Sequence, residues 1–431
     1  MPKTAFLFLL LTLNALLPAQ EQEQVQVQFP IRIETVVVAG NEKTRDEVIL
    51  REIPFQFPDT LDLEDLQYIQ NRISNLLLFN RVELALIGEP GHTILLIQVT
   101  EFWYIYPVPL LFLNERSWSK ISYGFQVSHR NFRGMNERLS VGGWLGYNPA
   151  FFLRYFNPWL GRNSRLILGF NFFGRKVGNK FFEFDEGHLG GSLTLGRRLS
   201  LTTVLQGTFE LQRITFPQEY QQYLVSGSDA DIIPKFSLQY INDRRDLVAY
   251  PESGYYVNWT VTRAGLTEKQ PDFWRFSFDH RLYQKLIKRV SVGGRNFLVF
   301  NRGELPIYDR VFIGYSERIR GYFNRVFTAQ NLMMQNYEMR ITLLPIRYLS
   351  WKDAPFMGAF FQGLQYGLGM GIFMDSGVVW DHPEQFALNN YFTGYGVGLH
   401  LRLPYVHVFR IDHAWNDQGQ GEWIVEVGVV F

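Results

Sequence analysis

The chain has no cysteine, so disulfides are excluded as its source of rigidity. Beyond the first twenty residues no run reaches 18 consecutive apolar positions, which excludes a membrane-crossing helix. Neither charge sign dominates: 42 Lys and Arg stand against 41 Asp and Glu, for a net charge of +1. Such a balance gives no polybasic footprint and excludes an argument for nucleic acid as a partner. Histidine is sparse as well, with 8 residues, and only His407 and His413, near Asp412, lie close together.

Aromatic residues are abundant, with 38 Phe, 22 Tyr and 10 Trp beside 37 Gly. Together with little helical patterning, this composition suggests many strands with aromatic girdles. The opening "MPKTAFLFLLLTLNALLPAQ" has a basic start, an apolar run from Ala5 to Leu17 and a Pro18-Ala19 exit. It reads as a secretory signal peptide spanning residues 1–19.

Residues 31–101 follow the grammar of a small mixed domain. "RIETVVVAGN" reads as a strand ending in a turn, and Thr44 with Glu47 reads as a capping box opening a helix. A second helix begins at Leu63, with Leu66, Ile69, Ile73, Leu76 and Leu77 on one face. "RVELALIG" and "HTILLIQVTE" then form two strands, for the order β-α-α-β-β.

From about residue 105 the period changes to two. Leu139, Val141, Leu145 and Tyr147 share one parity against Arg138, Ser140, Gly142 and Gly146. Tyr255, Val257, Trp259 and Val261 alternate with Tyr256, Asn258, Thr260 and Thr262. The last segment sets Trp423, Val425, Val427, Val429 and Phe431 against Glu422, Glu426 and Gly428. Backbone polar groups in lipid must all be paired, so such strands have to close into a barrel. At about 20 residues per strand and connection, residues 105–431 hold roughly 16 strands. The expected fold is an all-β transmembrane barrel preceded by one small α+β domain.

The alternation also directs charges. Asn336, Glu338, Arg340 and Thr342 face the lumen, as do Gly367, Gly369, Gly371, Phe373, Asp375 and Gly377. The three glycines leave a lumenal groove ending at Asp375. The long connection 304–328 carries the tetrad Ile319-Arg320-Gly321-Tyr322, a combination that a solvated loop tip does not need. Folded inward, it would pair Arg320 with an inward carboxylate, Asp375 being the expected one.

Enzymatic readings fare poorly. "GYSER" at 314–318 lacks the second glycine of a nucleophile elbow, and "GLGMG" and "GYGVG" lie within alternating strands. His407 and His413 share the lipid-side parity of Phe409 and Ile411, which favours membrane-interface positions over metal ligands. No enzyme activity, metal or cofactor is expected.

At these residues the chain resembles the outer-membrane assembly and translocation superfamily that includes BamA, TamA and the Sam-type proteins. The similar elements are Ile319-Arg320-Gly321-Tyr322, the Phe373, Asp375 and Gly377 pattern, and the Glu338 and Arg340 pair. Further matches are Asp243, Arg244, Pro251 and Gly254, then Asn131, Gly134 and Glu137, and finally Arg410 and Asp412. Phe431 is similar to the C-terminal signal by which outer-membrane barrels are recruited for insertion. The resemblance implies a single POTRA domain in the periplasm, where relatives often carry more, and a barrel in the bacterial outer membrane. It also implies a non-enzymatic role in inserting or translocating polypeptides. Its partners would be unfolded outer-membrane or secreted polypeptides, outer-membrane lipid, and periplasmic chaperones or lipoproteins. The alternative is a passive pore or lipid-handling barrel whose POTRA docks a partner.

Overall fold

The computed structural model describes residues 29–89, 92–113, 118–161, 164–179, 182–314, 317–323, 325–351 and 358–431. The expected signal peptide lies outside these residues.

The N-terminal domain runs β1 (Ile31–Ala39), α1 (Asp46–Leu50), β2 (Asp59–Leu61), α2 (Leu63–Ser74), β3 (Phe79–Ile87) and β4 (Thr93–Glu101). Its sheet has the order β2-β1-β4-β3, with β1 parallel to β4. Asp62 and Asp65 form a reciprocal capping box at the start of α2. The helix buries Leu66, Ile69 and Ile73 against Ile33, Leu95, Ile97 and Val99 of the sheet. Burial of each such side chain contributes about 1.5–3 kcal/mol.

Two expectations need correction here. The three-residue strand β2 joins the sheet through a short ladder to β1. The Thr44–Glu47 capping box does not form, because α1 starts at Asp46 without a side-chain cap. Thr44 is instead buried, with its hydroxyl 2.9 Å from the Tyr104 hydroxyl and 2.8 Å from Asn131 Nδ2. A tertiary contact has taken the side chain that the local pattern assigned to the helix.

Residues from Ile105 onward build one 16-stranded antiparallel sheet whose order follows the chain. In each strand the apolar residues of one parity point outward, including Val141, Leu145, Leu195, Leu238 and Trp259. The opposite parity lines a lumen rich in charged and hydrogen-bonded groups. Between the eleventh and twelfth strands, the described residues of 304–330 fold inward around a small hairpin, Val311–Ile313 with Phe327–Ala329.

The N-terminal domain docks against one mouth of the barrel. Arg45 donates its backbone N–H to the Gly134 carbonyl at 3.0 Å. A Cβ at Gly134, where φ is +72°, would stand 2.2 Å from the Lys43 carbonyl oxygen. Glycine is required there. Asn75 accepts from Val248 N–H at 2.8 Å and donates to the Asp246 carbonyl at 2.9 Å. The "NFRGMNE" stretch is therefore a docking turn, fastened by Asn131 and Gly134.

Among the described residues, the first barrel strand (Ile105–Leu113) and the last (Gly421–Val427) share no hydrogen-bonded ladder. The register reveals what each free edge offers. Arg130 N–H donates to Tyr104 O, in line with the Ile105↔His129 register, so even-numbered residues of the first strand bond to their neighbour. Odd-numbered residues face the seam. Two of these are Pro107 and Pro109, which have no N–H to donate. In the last strand the Gly428 N–H donates to Val408 O, which leaves Trp423, Val425 and Val427 facing the seam with intact donors.

At Gly428 φ is +94°, and the chain leaves the strand. Val429 and Phe431 do not continue the outward row. Phe431 turns into the lumen, 1% exposed, with its ring 5.9 Å from Tyr283 and 5.4 Å from the Arg340 guanidinium carbon.

Candidate functional site

Arg320 is the centre of the inward loop and is 2% exposed. Its Nε and Nη2 donate to the two oxygens of Asp375 at 2.7 and 2.9 Å, a forked bond, and its backbone N–H adds a third at 3.1 Å. Nη1 reaches Glu338 at 2.8 Å and Asp412 at 3.5 Å. The Phe373 ring lies beneath the guanidinium, 3.4 Å from its carbon to the centroid.

The neighbouring charges complete the balance. Arg340 Nε donates to Glu338 at 2.7 Å and its Nη1 to the Pro251 carbonyl at 2.9 Å. Arg410 Nη1 donates to Asp412 at 2.7 Å. Three guanidinium groups thus face three carboxylates, all buried. Isolated charges at such depth cost several kcal/mol each, so the set persists only because every charge is matched.

The apolar members of the tetrad have separate work. Ile319 and Tyr322 enter a lumenal cluster with Val299, Ile313, Leu332 and Met334. Gly377 makes room for Ile319, since a Cβ there would sit 3.0 Å from its Cδ1. The Tyr322 hydroxyl donates to Asp417. Gly321 N–H and Phe323 N–H both donate to Glu422 at 2.9 and 2.7 Å, and Arg318 pairs with Glu426 at 2.6 Å. Glu422 and Glu426 belong to the last barrel strand, so the loop grips the seam strand from inside.

The groove expected along Gly367, Gly369 and Gly371 is filled by a different group. Tyr250, from the turn between the strands Ala230–Asp243 and Gly254–Ala264, bonds His400 Nδ1 at 2.9 Å and packs on Arg402. A Cβ at Gly369 would meet the Tyr250 hydroxyl, and one at Gly371 the His400 ring. The inward loop itself lies against the adjacent strand Phe392–Leu403, where a Cβ at Gly394 would stand 1.7 Å from the Arg320 carbonyl oxygen. Close approach therefore comes from "GYGVG" rather than "GLGMG". Glu422, Glu426 and Tyr250 were not singled out by the sequence reading. Parity alone signalled the first two, as acids on the lumenal side of the terminal strand.

The Omp85 superfamily domain matches residues 131–429, and a surface antigen variable number repeat of the POTRA type matches residues 31–101. The chain belongs to the Omp85 superfamily. It is 20% identical over 427 residues to the outer membrane protein assembly factor BamA of Nitratidesulfovibrio vulgaris, covering 93% of this chain and 51% of that one. This Omp85 chain thus spans about half the length of the curated relative it matches. Among solved structures, it is similar to CdiB from Escherichia coli, with a TM-score of 0.57, 14% identity, and coverage of 93% and 76% of the two chains. It is likewise similar to BamA from Haemophilus ducreyi lacking POTRA domains 1-3, with a TM-score of 0.54, 15% identity, and coverage of 92% and 83%. These structural likenesses are of fold. The barrel lies in the bacterial outer membrane, with its POTRA domain in the periplasm.

Proposed function

We propose that this Omp85 protein helps polypeptides insert into, or cross, the outer membrane. The observation that carries this reading is the seam: two barrel strands with free edges, one gripped from the lumen by the Arg320 loop. A sealed pore has no use for an unpaired seam, because every unbonded backbone group at membrane depth costs free energy. An extended client strand supplies the missing partners.

In this reading an unfolded outer-membrane or secreted polypeptide first meets the POTRA domain. Strand β3 is an edge of the POTRA sheet and can accept an extended segment through main-chain hydrogen bonds, which are tolerant of sequence. The segment then passes to the seam, where Trp423, Val425 and Val427 hold intact donors. The residues carrying the mechanism are the tetrad Ile319 to Tyr322 and its lumenal partners Glu338, Arg340, Phe373, Asp375 and Gly377. Phe431 serves the protein's own insertion, and removing residues 31–101 should abolish client handling while leaving a folded barrel. Periplasmic chaperones or lipoproteins would deliver clients.

Purified protein in liposomes tests this against the passive-pore alternative. Faster folding of an added barrel polypeptide, without steady conductance in planar bilayers, is the expected result. Steady conductance with no effect on folding rate would overturn the reading.

A further inference from the structure

The joint between the POTRA domain and the barrel encloses a cavity of about 230 Å³. Four arginines line it, Arg72, Arg138, Arg198 and Arg245, against two carboxylates, Glu52 and Asp243. Both carboxylates are already engaged. Glu52 pairs with Arg72, and Asp243 takes the fork of Arg245 at 2.9 and 2.7 Å. Four positive charges less two negative ones leaves an excess of two.

The excess resides on Arg138 and Arg198. Arg198 donates Nε to the Pro158 carbonyl at 3.0 Å, a neutral acceptor. Among the described residues Arg138 makes no hydrogen bond or ion pair, and the charges acting on it are those of Arg130 and Arg198, both cations. A further cation adjoins the cavity: Arg51 and Arg198 approach the same Trp159 ring, at 4.9 and 5.8 Å from its centroid. Burial pushes the Arg51 guanidinium down to about 10, with Glu52 opposing that shift and the charge of Arg198 adding to it. The buried Nε atoms of Arg51 and Arg72 have no hydrogen-bond partner. Arg138 is exposed to the lumen and Arg198 half-buried, so water screens the repulsion among these like charges only in part.

We infer that this cavity binds a phosphate group, held between Arg138 and Arg198. A phosphate near neutral pH carries about 1.5 to 2 negative charges, which matches the excess. The guanidinium fork matches its oxygens in geometry, which a point charge does not. The side-chain carboxylate of a passing polypeptide supplies a single charge and would leave one arginine unmatched. Glu52, Arg72, Asn75 and Leu76 come from the POTRA domain and the remaining lining residues from the barrel, so a phosphate on Arg138 and Arg198 that also meets Arg72 would fasten the two together. Free phosphate and the headgroup of a phosphorylated lipid share this chemistry.

The test uses the full chain in nonionic detergent, titrated calorimetrically with inorganic phosphate, and in neutral-lipid nanodiscs with and without phosphatidic acid. Phosphate binding that also slows proteolysis between the domains is expected. The Arg138→Gln, Arg198→Gln double variant should bind about tenfold more weakly or worse. Arg138→Lys keeps the charge without the fork and should fall between the two. Heat-modifiable gel mobility establishes that each variant barrel is folded. A response to inorganic phosphate identifies the free ion, and one confined to phosphatidic acid identifies the headgroup. Equal binding by the double variant, no response to either probe, or tighter binding of an acidic peptide would overturn the inference.

Discussion

The first barrel strand loses two seam-facing donors to Pro107 and Pro109, whereas the last strand keeps its donors and departs from the sheet at Gly428. The first edge is disabled chemically, since no conformational change restores an N–H to proline. The last edge is redirected physically, by a bend, a buried Phe431 ring and two acids gripped from the lumen. Only the second kind of imperfection is reversible. In the proposed mechanism the terminal strand is the working edge and the initial strand a fixed, weakly pairing border.

Breaking the lumenal grip should have the largest effect. Arg320→Ala leaves Asp375 without its forked partner and Glu338 and Asp412 partly unmatched, at a cost of about 3–5 kcal/mol. Urea unfolding of the purified barrel should register it, and Arg320→Lys should not restore the loss, because the fork to Asp375 is absent.

Phe431→Ala acts where the chain leaves the last strand and packs on Tyr283 and Arg340. Loss of the ring from its site against Tyr283 and Gly293 should cost roughly 3 kcal/mol if that site stays empty. The amount of heat-modifiable barrel recovered from outer membranes should fall. Unchanged amounts and mobility would contradict both the packing role of Phe431 and its part in biogenesis.

Gly134→Val asks whether the seam depends on the docked POTRA domain. The added side chain collides with the Lys43 carbonyl in a left-handed conformation, for a strain of about 1–3 kcal/mol. Limited proteolysis between Glu101 and Ile105 should accelerate while the barrel remains heat-modifiable.

The smallest expected effect sharpens the comparison most. Replacing Pro107 and Pro109 with Val restores two donors, each bond contributing about 0.5–1.5 kcal/mol where it forms. Thermal stability should rise, and assisted folding of a client should slow. Slower folding without a gain in stability would mean that the prolines act other than by withholding donors.

Much of this was legible in the sequence because lipid enforces strict parity. The lumenal positions of Glu338, Arg340, Phe373 and Asp375 follow from counting by two, and the sixteen strands from segment length. What parity could not give was the third dimension of the lumen. Whether Gly369 faces the Arg320 loop or the Tyr250 turn depends on how two connections share one cavity, which no local pattern encodes. Thr44 was misread for a related reason: a local capping pattern competes with a buried contact to Tyr104 and Asn131, and the tertiary contact won. The terminal strand kept the expected parity only as far as Gly428, where a residue free to adopt positive φ ended it and Phe431 turned inward.

The central claim is that the seam is the working part of the molecule, and tethering it is the most direct measurement. The chain has no native cysteine, so cysteines at Leu111 and Trp423 can be joined across the seam by a cleavable bis-maleimide. Client folding assisted by the tethered protein in liposomes should drop to the unassisted rate and recover when the linker is cleaved. Full assistance with the tether demonstrably closed would contradict the account.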